Sequence, residues 1–210
     1  MKTQTSSKEI VLMMSKLPKL YIIAGCNGAG KTTASFTILP EILGCKEFIN
    51  ADEIAKGLSP FQPESVAVQA GRIMLARMDE LLQKGETFAF ETTLATKSYK
   101  QKIEWAQANG YEVTLLFFWL DSPNIAKERV AQRVAEGGHS IPLETIERRY
   151  YNGIANLFTI YIDIVDICYI FDNSEGRKEL IAQKERHKDI VIYNNDKFNL
   201  MKNNDERGNN

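Results

Sequence analysis

The sequence has 210 residues, 44% of them hydrophobic and 25% charged, with a formal net charge of -1. One domain of this length buries roughly 70% of its surface, so its folding needs neither disulfide nor metal staples. The near-neutral charge excludes nucleic-acid binding through a broad basic face. Cys26, Cys45 and Cys168 share no short metal-ligand spacing, and their odd number suits a reducing compartment.

The chain opens with "MKTQTSSKEIVLMMSK", whose apolar run Ile10–Met14 is too short for a signal segment. No apolar span of about 20 residues follows, so a cytoplasmic protein with no membrane contact is expected. The first strand is Leu20–Ala24, apolar throughout, as expected of a parallel strand covered on both faces. A glycine loop leads into a helix expected from about Lys31 to Leu43, stopped by Gly44. "CKEFIN" reads as a short second strand and "ESVAVQAGRIMLARMDELLQKG" as a long helix capped by Gly85. "TFAFETT", "YEVTLLFFWLD" and "IVDICYIFDNS" are further strands. The helices "KSYKQKIEWAQANG", "SPNIAKERVAQRVAEGG" and "LETIERRYYNGIANL" come between them. This alternation predicts an α/β fold with a mostly parallel sheet. Residues 1–19 read as an N-terminal extension and 20–195 as the domain, while the polar stretch 196–210 reads as a disordered tail.

"GCNGAGKTT" satisfies G-x-x-x-x-G-K-[ST] through Gly25, Gly30, Lys31 and Thr32, with a strand before it and a helix after it. Glycines let successive N–H groups turn inward toward phosphate oxygens, and the helix start adds its positive dipole end. Lys31 is expected on the β- and γ-phosphates of a nucleoside triphosphate and Thr32 on Mg2+. Cys26, Asn27, Gly28, Ala29 and Thr33 complete the nucleotide-binding stretch. A helix N-terminus lowers thiol pKa values, so Cys26 admits a redox reading beside that of a small loop residue.

Ligands of open parallel sheets bind beyond the carboxyl ends of the strands, where this sequence places Asn50, Asp52, Glu91, Thr92, Thr93 and Asp121. Asp52 reads either as the cap of "EIAKGL" or as a carboxylate that takes the proton of an attacking hydroxyl. Glu91 sits where many phosphate-loop enzymes carry an acidic ligand of the metal's water. Thr93 reads as a substrate contact or a helix-start residue, and Asn50 as a substrate contact. Asp121 ends a strand patterned like a Walker B segment, yet reads better as a helix cap before Ser122-Pro123. Arg129 and Arg133 share a helix face, and with Arg148 and Arg149 they flank the glycine-containing loop "AEGGHSIP", read as a lid over about 134–149. Such a lid brings guanidinium groups to the transferring phosphoryl, with His139 either at the surface or touching substrate.

The motifs "GCNGAGKTT", "FINADEIA", "FETTL" and "GGHSIPLETIERRYYN" resemble those of the zeta-toxin family of phosphate-loop kinases, over about Leu20 to Ser174. The resemblance implies a five-stranded parallel sheet flanked by helices, similar to nucleoside monophosphate kinases. It also implies transfer of the ATP γ-phosphate to a hydroxyl of UDP-N-acetylglucosamine or a related sugar nucleotide. By it, Lys31 and Thr32 hold the triphosphate and Mg2+, and Asp52 is the general base. Glu91 and Thr93 contact the acceptor, and Arg133 with Arg148 or Arg149 stabilises transferred charge. It further implies a separate antitoxin partner. Two other readings stand beside it: kinase action on a nucleoside, nucleotide or other metabolite, and a nucleotide switch working through a protein partner. No LSGGQ-like segment of a transport ATPase is present.

Overall fold

The apolar runs of the sequence become the strands of one sheet: β1 (Lys19–Ala24), β2 (Phe48–Ile49), β3 (Phe88–Thr92), β4 (Glu112–Trp119), β5 (Ile167–Asp172), β6 (Glu179–Glu185) and β7 (Val191–Ile192). The structure is a computed structural model that describes residues 17–208 apart from His139. Most of the N-terminal extension and the candidate contact His139 therefore lie outside the described residues. Strand order is β2-β3-β1-β4-β5-β6-β7. The first five strands in that order are parallel, whereas β6 and β7 add on antiparallel. β1 pairs on both sides, with β3 and β4, which is why Leu20–Ala24 is buried without a polar interruption. Among the described residues, no helix is long and apolar enough to cross a membrane.

The longer helices are α1 (Lys31–Thr37), α2 (Ala51–Leu58), α3 (Ala67–Lys84), α4 (Lys100–Ala108), α5 (Pro123–Ala135), α6 (Leu143–Asn156) and α7 (Asn195–Gly208), and short helical turns at Pro63–Val66, Leu157–Tyr161 and Ile162–Ile164 join them. In α3, Ala70, Met74, Met78 and Leu81 form the buried stripe, and Gly85 closes the helix in the left-handed region. The expected helix Lys31–Leu43 is divided instead: α1 ends at Thr37, and a π-helical turn, Ile38–Ile42, carries Pro40. Proline has no N–H to donate, and its ring crowds the carbonyl four residues back, so the ladder widens there.

The five-stranded sheet implied by the family resemblance is corrected to seven strands, and the expected tail is corrected as well. "ELIAQKE" forms β6, which the charged composition hides; only Ile181 and Ala182 are deeply buried, and pairing with β5 includes a register shift. The stretch expected to be a disordered tail is mostly α7. Phe198 and Met201 enter the core three residues apart, and the Phe198 ring meets that of Phe158 edge-on at 5.7 Å. Asn194 starts this helix by accepting the Lys197 N–H at 3.1 Å. Two apolar residues give no readable period, yet docking on a preformed surface suffices, since helix stability in proteins comes mainly from tertiary packing.

Candidate functional site

β1 delivers the chain into the phosphate loop, which turns sharply at Gly25. Its φ is +139°, and a Cβ there would lie 2.2 Å from the Phe118 carbonyl oxygen of β4. Only glycine allows so close an approach between loop and sheet. Lys31 opens α1 almost fully buried, and its Nζ donates to the Cys26 carbonyl at 2.9 Å. Thr32 lies beside it, while Thr33 is exposed on the first turn. Cys26 is buried, and burial pushes its thiol up to about 11 against the smaller opposing pull of Lys31. Burial of this kind favours the reading of Cys26 as a small loop residue over the redox one.

Register fixes what meets this loop. Ile23 of β1 is level with Glu91 of β3, so the Glu91 carboxylate lies against the start of α1. Its Oε2 accepts from the Thr32 hydroxyl at 2.8 Å and from Asn50 Nδ2 at 2.9 Å. Its Oε1 lies 3.5 Å from Lys31 Nζ. The other end of the Asn50 amide caps α2, with Oδ1 accepting from the N–H groups of Asp52 (2.8 Å) and Glu53 (3.4 Å). The alternative reading of Asp52 as the cap is thereby corrected: Asn50 does that work, and Asp52 is an exposed residue of the first turn. The expected cap at Asp121 also moves. Ser122 Oγ accepts from Asn124 N–H at 3.1 Å, while Asp121 is exposed and its N–H bonds Ser174 Oγ.

Asp52 stands between two cavities. One, of about 190 Å3, is walled by Asn27, Lys31, Glu91, Thr93, Thr96 and Tyr99; the other, of about 200 Å3, by Glu64, Ser140, Pro142 and Thr145. Both share Ala51, Asp52 and Arg149. Sequence reasoning missed Tyr99 and Thr96, since they stand in an irregular segment with no motif. The Tyr99 ring packs against Phe90 at 4.9 Å. Leu94, behind this wall, has φ +58°, a strained value for its type, and its carbonyl accepts from buried Asn156.

The arginines separate. Arg149 donates to Asn27 Oδ1 at 3.2 Å. Burial pushes its pKa down, and Arg148 adds to that while Asp52 opposes it. Arg148, the preceding residue of the helix, is exposed and lines neither cavity, so the structure gives no contact for the catalytic role expected of it. Among the described residues, Arg133 Nε and Nη2 are buried without a hydrogen-bond partner. Arg129 is occupied: it donates to the carbonyls of Gly28 (3.3 Å), Asn173 (2.9 Å) and Ser174 (2.7 Å), so it holds backbone rather than reaching an acceptor.

The site thus has a cation-lined anion cradle, an acidic group against it, and a carboxylate facing open space. Comparison with known proteins agrees with that composition. The family model for zeta toxin matches residues 3–198. An uncharacterized protein of Haemophilus influenzae is 28% identical over 132 residues, which are 63% of this chain and 92% of that one. Among solved structures, the PezAT chromosomal toxin-antitoxin system of Streptococcus pneumoniae superposes with a TM-score of 0.64 at 16% identity, covering 99% of this chain and 98% of that one. AvrRxo1-ORF1:-ORF2 with ATP gives 0.68 at 16% identity, covering 88% of this chain and 63% of that one. The fold is shared with these proteins, and by a match over nearly its whole length the chain belongs to the zeta toxin family, as an ATP-dependent kinase.

Proposed function

We propose that this kinase transfers the γ-phosphate of ATP to a hydroxyl of a small molecule, with Asp52 as the proton acceptor. The observation that carries this reading is the division of labour at the start of α2. Asn50 satisfies the helix end, which leaves Asp52 to line both cavities beside Arg149. In the step, the acceptor oxygen bonds to the γ-phosphorus while the bond from that phosphorus to the β–γ bridging oxygen breaks. The hydroxyl proton passes to Asp52, and ADP leaves. Lys31 and Arg149, which line the cavity beside Asp52, neutralise the phosphoryl oxygens, and the family resemblance adds Arg133 to them.

Thr32 and Glu91 fit a magnesium ion, because their hydroxyl and carboxylate oxygens converge at 2.8 Å and are the hard donors it takes. Held by these two residues, such an ion would add positive charge that offsets the triphosphate. A UDP-activated amino sugar such as UDP-N-acetylglucosamine is the acceptor favoured by the family resemblance. Thr93, Thr96 and Tyr99 on one side and Glu64, Ser140 and Thr145 on the other offer polar groups to such a polyol. A separate antitoxin protein is the expected partner, in keeping with the neighbour described as a toxin-antitoxin system.

The test is an acceptor panel that includes sugar nucleotides, nucleosides and other polyols, with mass detection of the phosphorylated product. Asp52→Asn should lower transfer by about 10²- to 10⁴-fold with ATP binding retained. Transfer at the parent rate by that variant would refute Asp52 as the base.

A further inference from the structure

The turn after β5 is tied to the phosphate loop on one side and to α7 on the other. Asn173 is buried, and its Nδ2 donates to the Ala29 carbonyl at 2.9 Å. Its own N–H bonds the Trp119 carbonyl at 3.0 Å, which seats the turn on the end of β4. The next loop residue leaves no room for a side chain: Gly30 has φ +79°, and a Cβ there would lie 2.5 Å from Asn173 Nδ2. Arg129 makes a second tie, bridging the Gly28 carbonyl to those of Asn173 and Ser174.

The turn itself is shaped by Asp172. Its Oδ1 accepts the Ser174 N–H at 2.9 Å and the Ser174 hydroxyl. Its Oδ2 accepts from Nζ of Lys197 in α7, which also reaches Glu179 at 2.7 Å. The Asp172 side chain is only 3% exposed. Burial pushes its carboxyl up, but the bonds from Lys197 and Ser174 together outweigh burial and hold it below the usual range. A charge so placed depends on its partner.

The contact with Ala29 has a direct consequence for anion binding. A peptide unit is planar, with C=O and N–H pointing opposite ways. The Ala29 carbonyl and the Gly30 N–H share one such plane. Holding the carbonyl toward Asn173 therefore aims the Gly30 N–H away from it, into the loop. Amides that converge before a phosphate arrives spare the ordering cost that would otherwise weaken binding.

We propose that Asn173 and Lys197 are positioning residues of the nucleotide site, and that α7 braces the phosphate loop through the turn after β5. This rests on the reading that the loop binds ATP. The experiment titrates the full chain and its Asn173→Ala, Lys197→Met and Lys197→Arg variants with Mg2+ and the β,γ-imido analogue of ATP. Steady-state kinetics and thermal melts accompany each titration. Asn173→Ala should weaken analogue binding about tenfold, the effect of one lost buried hydrogen bond. It should raise KM for ATP in step, with kcat at saturating ATP changed less than about twofold. Lys197→Met should act in the same direction, and Lys197→Arg should restore parent affinity because it keeps a cation on Asp172. A lower melting temperature with parent-like nucleotide affinity in Asn173→Ala and Lys197→Met would overturn the proposal. Should Lys197→Met fail to fold, Asn173→Ala decides alone, since it leaves the Asp172–Lys197 pair in place. A parent chain that binds no analogue would overturn the kinase reading along with the brace; a parent that binds, with variants that bind equally, overturns only the brace.

Discussion

Replacing Asn50 with alanine removes two functions of one buried amide. Its oxygen caps α2 through the Asp52 and Glu53 N–H groups, and its nitrogen donates to Glu91 Oε2 at 2.9 Å. Loss of a cap costs about 1 kcal/mol, and loss of a hydrogen bond to a charged group costs about 1.5–2 kcal/mol more. Their sum, about 2.5–3 kcal/mol, should lower the melting temperature by about 5–12 °C in a domain of this size. Asn50→Asp separates the two functions, because aspartate caps as well as asparagine but sets a second carboxylate against Glu91. That pair holds a proton more tightly folded than unfolded, so the folded state binds more protons and stability falls as pH rises from about 5 to about 8. Thermal melts of parent, Asn50→Ala and Asn50→Asp across that range provide the assay. An Asn50→Ala variant within about 0.5 kcal/mol of the parent, the scatter of ordinary surface changes, would refute the reasoning. A pH-independent Asn50→Asp would remove the Glu91 half of it.

The helical phase of α6 predicts that neighbouring arginines differ in consequence. Arg149→Ala should reduce phosphoryl transfer by about 10²- to 10³-fold, as for lost transition-state donors elsewhere. Arg148→Ala, on the exposed side, should retain near-parent rates; equal losses in a kinase assay would contradict the assignment. The cysteines predict slow alkylation. All three are buried, and burial pushes the thiols of Cys26 and Cys45 to about 11 and of Cys168 to about 12. At pH 8 native labelling should run at least about 100-fold slower than in denaturant, and rapid native reaction of one thiol would show that its surroundings open.

Features set by contiguous residues were legible in the sequence alone. The order strand, glycine loop, helix over Leu20–Thr37 needs only local pattern, and "GCNGAGKTT" carries its chemistry within nine residues. Lys31, Asp52, Glu91 and Thr93, which follow the carboxyl ends of β1, β2 and β3, line one cavity, because parallel strands bring their ends to one edge. Local pattern also marked Gly85 as the close of α3. The choice of Asn50 over Asp52 as cap turned on a single hydrogen-bond geometry that neither residue type dictates.

Tertiary structure decided everything that depends on partners distant in the chain. Which arginine faces the cleft follows from the docking of α6, where Arg149 meets Asn27 across 122 positions. The end of the chain reads as polar and unstructured until Phe198, Met201 and Lys197 find surfaces made by α6, β5 and β6. Asn173 carries no motif of its own, and it acquires a role only where it meets Ala29, 144 residues earlier. Backbone propensity and periodicity act over one or two turns, whereas these contacts exist only after the sheet has assembled.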